Sequence, residues 1–181
     1  MKIPVKKWYE SVETRYSQHK YMDKEIKTFT MKALRKKVEE LNSVYEEVRI
    51  EIFENSIKEI LPAIQGKYGN FTDSPTFMAV IIKGVGEHRW LKAGYIGEAA
   101  ILEATAHGLG TCWIGGRFEP SRTNVKIDLE PGERLVAVTP VGYSSESYNI
   151  TRHFISKLFP HRERKSLDVL CPDGYDQDWP G

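Results

Sequence analysis

The strongest constraint on the fold is a run of small residues at 94–109. It ends in a glycine-punctuated apolar turn, Gly108-Leu109-Gly110-Thr111-Cys112-Trp113-Ile114-Gly115-Gly116. Between Ile96 and Leu109 only Glu98, Glu103 and His107 interrupt Ala, Ile, Leu, Gly and Thr, so most faces of a helix here can be buried. Its short side chains let another backbone come close. Gly108 and Gly110 are expected to stop the helix by taking the left-handed conformation of a C-terminus, and Gly115 and Gly116 give the same freedom a few residues on.

The rest of the chain must wrap that helix, and 181 residues suffice for one domain with a substantial core. Pro4 suits a first helical position, and Val5, Trp8, Tyr9 and Val12 form one helical stripe leading to a polar cluster at 15–21. Asp23 is expected to cap a second helix at 24–41, with Ile26, Phe29, Leu34, Val38 and Leu41 facing the core. Residues 48–53 alternate apolar and charged, as a half-buried strand does, and 55–64 reads as a short helix. The apolar run at 76–82 fits a central strand covered on both faces, 111–114 a short strand, 130–133 a turn, and 135–141 another buried strand. Three or four strands interspersed with helices give a layered α+β or α/β domain.

Several chemistries are excluded by what the sequence lacks. With 26 basic and 25 acidic residues the net charge is +1, which gives no global pull toward nucleic acid or an anionic membrane. No apolar run approaches the ~20 residues of a membrane span, and the N-terminus carries no signal-like core, so a cytoplasmic protein is expected. The five histidines show no metal-ligand spacing, and no metal site is expected. Gly84-Val85-Gly86 and Gly108-Leu109-Gly110 each begin a dinucleotide fingerprint, but the third glycine position is Arg89 in one and Trp113 in the other. Cys112, in an apolar context without an evident base, is expected to be a packed thiol. Two basic clusters remain: Arg15-Tyr16-Ser17-Gln18-His19, and His161-Arg162-Glu163-Arg164-Lys165. Each reads either as a solvated surface or as part of an anion clamp.

Taken together, these segments resemble the nitroreductase family of flavin mononucleotide (FMN) enzymes, in particular its thermophile-type subgroup. Residues 15–21 resemble the family's Arg-Arg-Ser-x-Arg-x-Phe opening. Residues 94–116 resemble its helix and Gly-Leu-Gly-Thr-Cys-Trp-Ile-Gly block. Gly142-Tyr143, with Arg162-Glu163-Arg164-Lys165-Ser166-Leu167, is similar to its ending. The resemblance implies an α+β fold with a central, mainly antiparallel sheet flanked by helices, a homodimer, and FMN at the interface. It places Arg15, Tyr16, Ser17 and His19 on the flavin, Ile114, Gly115 and Gly116 near its ring, and Arg162, Arg164 and Lys165 at its phosphate. The implied activity is ping-pong: NAD(P)H reduces the flavin at N5, and a small-molecule acceptor such as a nitroaromatic or quinone then takes the electrons. The cofactor carries that chemistry, so no catalytic side chain is implied.

Two positions depart from the pattern. His19 stands where the family usually has Arg or Lys, replacing a fixed charge with a side chain type whose charge changes near neutral pH. The family's Pro-Ser-x-x-Asn-x-Gln-Pro-Trp segment has no counterpart. Residues 1–170 are therefore expected to form the FMN-binding domain, and 171–181 a tail that starts a missing segment. A non-catalytic FMN-binding or storage module, or a dimerising interaction domain, stay open as alternatives.

Overall fold

The apolar run at 76–82 divides its side chains between two cores. Phe77, Ala79 and Ile81 enter one cluster, and Met78, Val80 and Ile82 enter another on the opposite face. The computed structural model describes residues 3–65, 73–123 and 125–145, together with Ser166 and Val169. The chain divides into two compact units, Met1–Ser145 and Glu146–Gly181. All that follows concerns the first. Its elements are α1 (Val5–Thr14), α2 (Thr28–Asn42), β1 (Val48–Phe53), α3 (Ile57–Ile60), β2 (Ile64–Gln65), β3 (Thr76–Lys83), α4 (Glu87–Ala106), β4 (Gly110–Thr111), β5 (Ile114–Gly115), β6 (Arg117–Phe118) and β7 (Glu133–Gly142).

The main sheet runs β1-β3-β7-β4, with β5 also on β7, and every pairing between its strands is antiparallel. It is the α+β architecture expected. β2 and β6 form a separate antiparallel pair that the sequence reading did not anticipate, since two-residue strands carry no periodicity. One core packs α1, α2 and α4 on the sheet through Leu34, Leu41, Ile96, Ala100 and Ile101. The other gathers Ile57, Ile60, Ile114 and Val138. Each large side chain fully buried in this way contributes about 1.5–3 kcal/mol. Among the described residues, no helix is long and apolar enough to cross a membrane.

Four local expectations are corrected. Asp23 caps nothing: α2 starts at Thr28 with Lys27 at its N-cap, and Phe29 points outward at 81% exposure while Thr30, Met31 and Leu34 turn inward. Pro4 is the N-cap of α1 and not its first helical residue, and the buried face of α1 carries Trp8 and Ser11, leaving Val5, Tyr9 and Val12 exposed. α4 begins at Glu87, well before Ile96; within it Gly94 is exposed and a Cβ there would meet no described residue, while Gly97 is buried beneath a neighbouring ring. It ends as expected with Gly108 at φ 75°. Gly110, however, has no positive φ; it lies in β4, where a Cβ would meet Gln18 Cγ at 2.7 Å.

Residues 111–114 do not form one continuous strand. β4 and β5 keep a single register along β7, Thr111 opposite Val141 and Ile114 opposite Val138, but the ladder lapses at Cys112 and Trp113. That register puts Cys112 opposite Pro140, which has no N–H to give. The Cys112 N–H bonds Thr139 Oγ1 instead, at 3.1 Å.

Candidate functional site

Three stretches far apart in sequence meet at the β4–β5 edge of the sheet. Gln18 N–H donates to the Thr111 carbonyl at 2.7 Å, and Ser17 forms a parallel bridge with Thr111. Tyr21 bridges Ser144, Met22 N–H donates to the Tyr143 carbonyl at 2.8 Å, and Ser145 N–H to the Lys20 carbonyl at 3.1 Å. Residues 15–21 thus lie between the glycine turn and the end of β7, so Arg15, Tyr16, Ser17, His19, Ile114 and Gly115 belong to one region. Arg162, Arg164 and Lys165 lie outside the described residues.

Gln18, which the sequence did not single out as a site residue, holds this junction. It is fully buried; its amide N–H bonds the Lys20 carbonyl, its Oε1 accepts from Ser144 Oγ at 3.3 Å, and its carbonyl accepts from the Tyr21 hydroxyl at 2.7 Å. Tyr16 reaches the same serine, with 2.9 Å between the hydroxyls. Only a glycine at 110 leaves room for the Gln18 side chain.

Arg15 and Trp113 are joined through Glu98. Arg15 Nε pairs with Glu98 Oε1 at 3.1 Å, and Trp113 Nε1 donates to Glu98 Oε2 at 2.8 Å. The Trp113 indole lies against α4 where Gly97 has no side chain; a Cβ there would sit 2.3 Å from Cη2. Glu98 was visible in the sequence as a lone charge in an apolar helix, but its two partners come from different segments. Spacing could not reveal them.

Cys112 behaves as the packed thiol expected, and it is also where Ser17 and His19 converge. His19 Nε2 is 3.6 Å from its Sγ. Burial pushes the Cys112 thiol pKa up, against smaller opposing effects of a Ser17 hydrogen bond and the Arg15 charge. It stays protonated at neutral pH, as a donor and not a nucleophile.

Two features bear on whether a flavin fits. Gly115 is exposed, and among the described residues a Cβ on it would meet nothing nearer than the Val136 carbonyl oxygen, at 4.0 Å, so no described side chain crowds the backbone there. Thr111 Oγ1 is buried with no hydrogen-bond partner among the described residues, a state that costs about 1–3 kcal/mol unless a further polar group reaches it. A planar, polar-edged group suits this surface.

A family model described as "Putative TM nitroreductase" matches residues 7–179. Solved structures share the fold. A nitroreductase family protein from Clostridium novyi NT aligns with a TM-score of 0.62 at 22% identity, over 78% of this chain and 87% of that one. An FMN-dependent nitroreductase from Clostridium difficile R20291 aligns at 0.59 and 17% identity, over 93% and 98%. A nitroreductase with bound FMN from Bacteroides fragilis NCTC 9343 aligns at 0.55 and 16% identity, over 77% and 89%. No curated protein matches the chain.

Proposed function

This chain belongs to the nitroreductase family whose model spans residues 7–179, and from that premise we propose that it is an FMN-dependent oxidoreductase using NAD(P)H. One observation carries the reading: residues 17–22, Thr111 and residues 143–145 are hydrogen-bonded into one junction, where Thr111 Oγ1 is buried with no hydrogen-bond partner among the described residues. A bound flavin would supply the two-electron transfer from the nicotinamide donor to a small electron-poor acceptor. The chain binds and orients. Arg15 brings positive charge to the ring's polar edge, where it favours added negative charge, and Glu98 fixes its direction. Ser17 and His19 add polar side chains, and Gly115 and Gly116 let backbone approach the ring. Arg162, Arg164 and Lys165 are assigned to the phosphate by the resemblance alone. Residues 1–170 form the cofactor-binding domain in this reading, and two copies of the chain pair.

The test is optical. Protein reconstituted with FMN and desalted should keep a flavin absorption band, which NADH or NADPH should bleach without oxygen. Loss of the band on desalting would reject the cofactor assignment. Retention without bleaching would reject catalysis and leave a flavin-binding module.

A further inference from the structure

A cleft of about 340 Å³ opens between Trp90 near the start of α4, Gly116 and β6, Leu129, and the first residues of β7. Its size is that of a small-molecule site. Phe118, Leu129, Leu135 and Val136 make it apolar, and Val136 is the residue of β7 skipped where the β3–β7 register shifts. Trp90 is 49% exposed and, among the described residues, belongs to neither core, an unusual position for an indole.

The charge around this cleft is one-sided. Glu133, the carboxylate in its wall, is already taken: Arg49 Nε and Nη2 bond its two oxygens at 2.9 Å each, and that pairing outweighs burial and holds Glu133 below the usual carboxylate range. The two remaining charges are cations. The Arg134 guanidinium carbon lies 5.1 Å from the centre of the Trp90 ring, and Arg117 is exposed at the rim. Among the described residues, no carboxylate pairs with either. An arginine over an indole face is held in place while its hydrogen-bonding fork stays available, and such forks match carboxylates in two-point contacts. An apolar slot with an aromatic wall and two such forks selects a flat ring bearing an acid.

We propose that this cleft binds a planar aromatic carboxylate. Because Gly116 lies in its wall, the occupant in the oxidoreductase reading is the electron acceptor, and that part of the inference rests on that reading. For a nitro acid the step balances as follows: the nitro group takes two electrons and two protons, loses one water and becomes nitroso. The nicotinamide donor gives the hydride, and solvent supplies the second proton.

Calorimetric titration of the full chain with 2-naphthoate and with the neutral 2-naphthalenemethanol, before and after FMN loading, tests the site. The acid should bind at least about tenfold more tightly than the alcohol. Arg134→Gln and Arg117→Gln should each remove most of that preference while changing alcohol binding less than about twofold. Arg134→Lys keeps the charge without the fork and should fall between wild type and Arg134→Gln. Equal affinity for acid and alcohol, no binding of the acid, or a preference unchanged in both glutamine variants would overturn the proposal. Melting temperatures close to wild type show that the variants fold. Naphthoate binding in a protein that retains no FMN would leave the cleft standing and reject the oxidoreductase reading. With FMN bound, the KM for 4-nitrobenzoate should be about tenfold below that for 4-nitrobenzyl alcohol and lose this advantage in Arg134→Gln. Equal KM values with intact naphthoate binding would overturn the acceptor assignment alone.

Discussion

Gly97 and Glu98 hold the same indole by two edges. The benzo edge of Trp113 rests where Gly97 has no Cβ, and the pyrrole N–H is bound by Glu98. Gly97→Ala would put a methyl 2.3 Å from Cη2, so the ring must move. Overpacking of this kind costs about 1–3 kcal/mol. Gly94→Ala, three residues earlier in the same helix, meets none of the described residues within 4 Å and should instead gain up to about 1 kcal/mol from helix propensity. Urea denaturation of the two variants separates the effects, and equal changes would contradict the packing account. Glu98→Gln leaves the Arg15 charge uncompensated. If FMN binds as proposed, its midpoint potential should rise by about 30 mV, the equivalent of 1.4 kcal/mol for two electrons, as read by redox titration. The glycines were legible in sequence as permissions, but what each one admits was not. Gly110 looked like a left-handed stop and is a seat for Gln18, because the deciding neighbour is 92 positions away.

At the scale of elements, α1 is fastened to α4 by one buried carboxylate. Lys7 Nζ and Trp8 Nε1 donate to the two oxygens of Glu103 at 2.8 and 2.9 Å, and His107 Nε2 lies 3.3 Å away. Burial pushes the Glu103 pKa up, yet the two hydrogen bonds and the Lys7 charge outweigh it and hold the group below its ordinary range. The sign of the linkage follows. A depressed carboxylate stabilises the fold at pH above its unfolded value of about 4.3, and that contribution fades as pH falls through the folded value. Glu103→Gln should therefore cost about 1.5–3 kcal/mol at pH 7, with the gap to wild type narrowing below pH ~4. Melting curves across pH 3–7 check this; a constant gap would mean that the carboxylate charge is irrelevant. Since α1 runs directly into Arg15, this fastening also fixes where the site begins. Periodicity announced α1 and put Trp8 on its stripe, but Val5, Tyr9 and Val12 of the same stripe are exposed, because spacing counts apolar side chains and says nothing of what lies beside them. Trp8 is buried because its indole N–H finds Glu103, a partner on another helix.

For the whole molecule, the sheet was legible wherever burial on two faces leaves a long apolar run, as at β3 and β7. It was not legible where strands are two residues long and exist only through pairing, as at β2 and β6. The site followed the same division: its segments were readable, whereas their junction depends on hydrogen bonds across the sheet edge. The outward apolar residues have a further consequence. Val5 and Tyr9 on α1 are 69% and 70% exposed, and Leu91 on α4 is 75% exposed, although these helices pack against each other. Scattered surface apolars are ordinary, but a set on two adjoining helices suits a covered face. In the proposed homodimer that cover is a second copy. Light scattering at micromolar concentration should give about twice the 20.8 kDa chain mass. Leu91→Glu and Tyr9→Glu place charge on this face without touching a buried contact, so they should shift the mass toward one chain while leaving far-UV dichroism unchanged. If the protein is a dimer and neither substitution weakens it, pairing uses another surface. If wild type has the mass of a single chain at high concentration, the homodimer is wrong, and an FMN site that needs two copies is wrong with it.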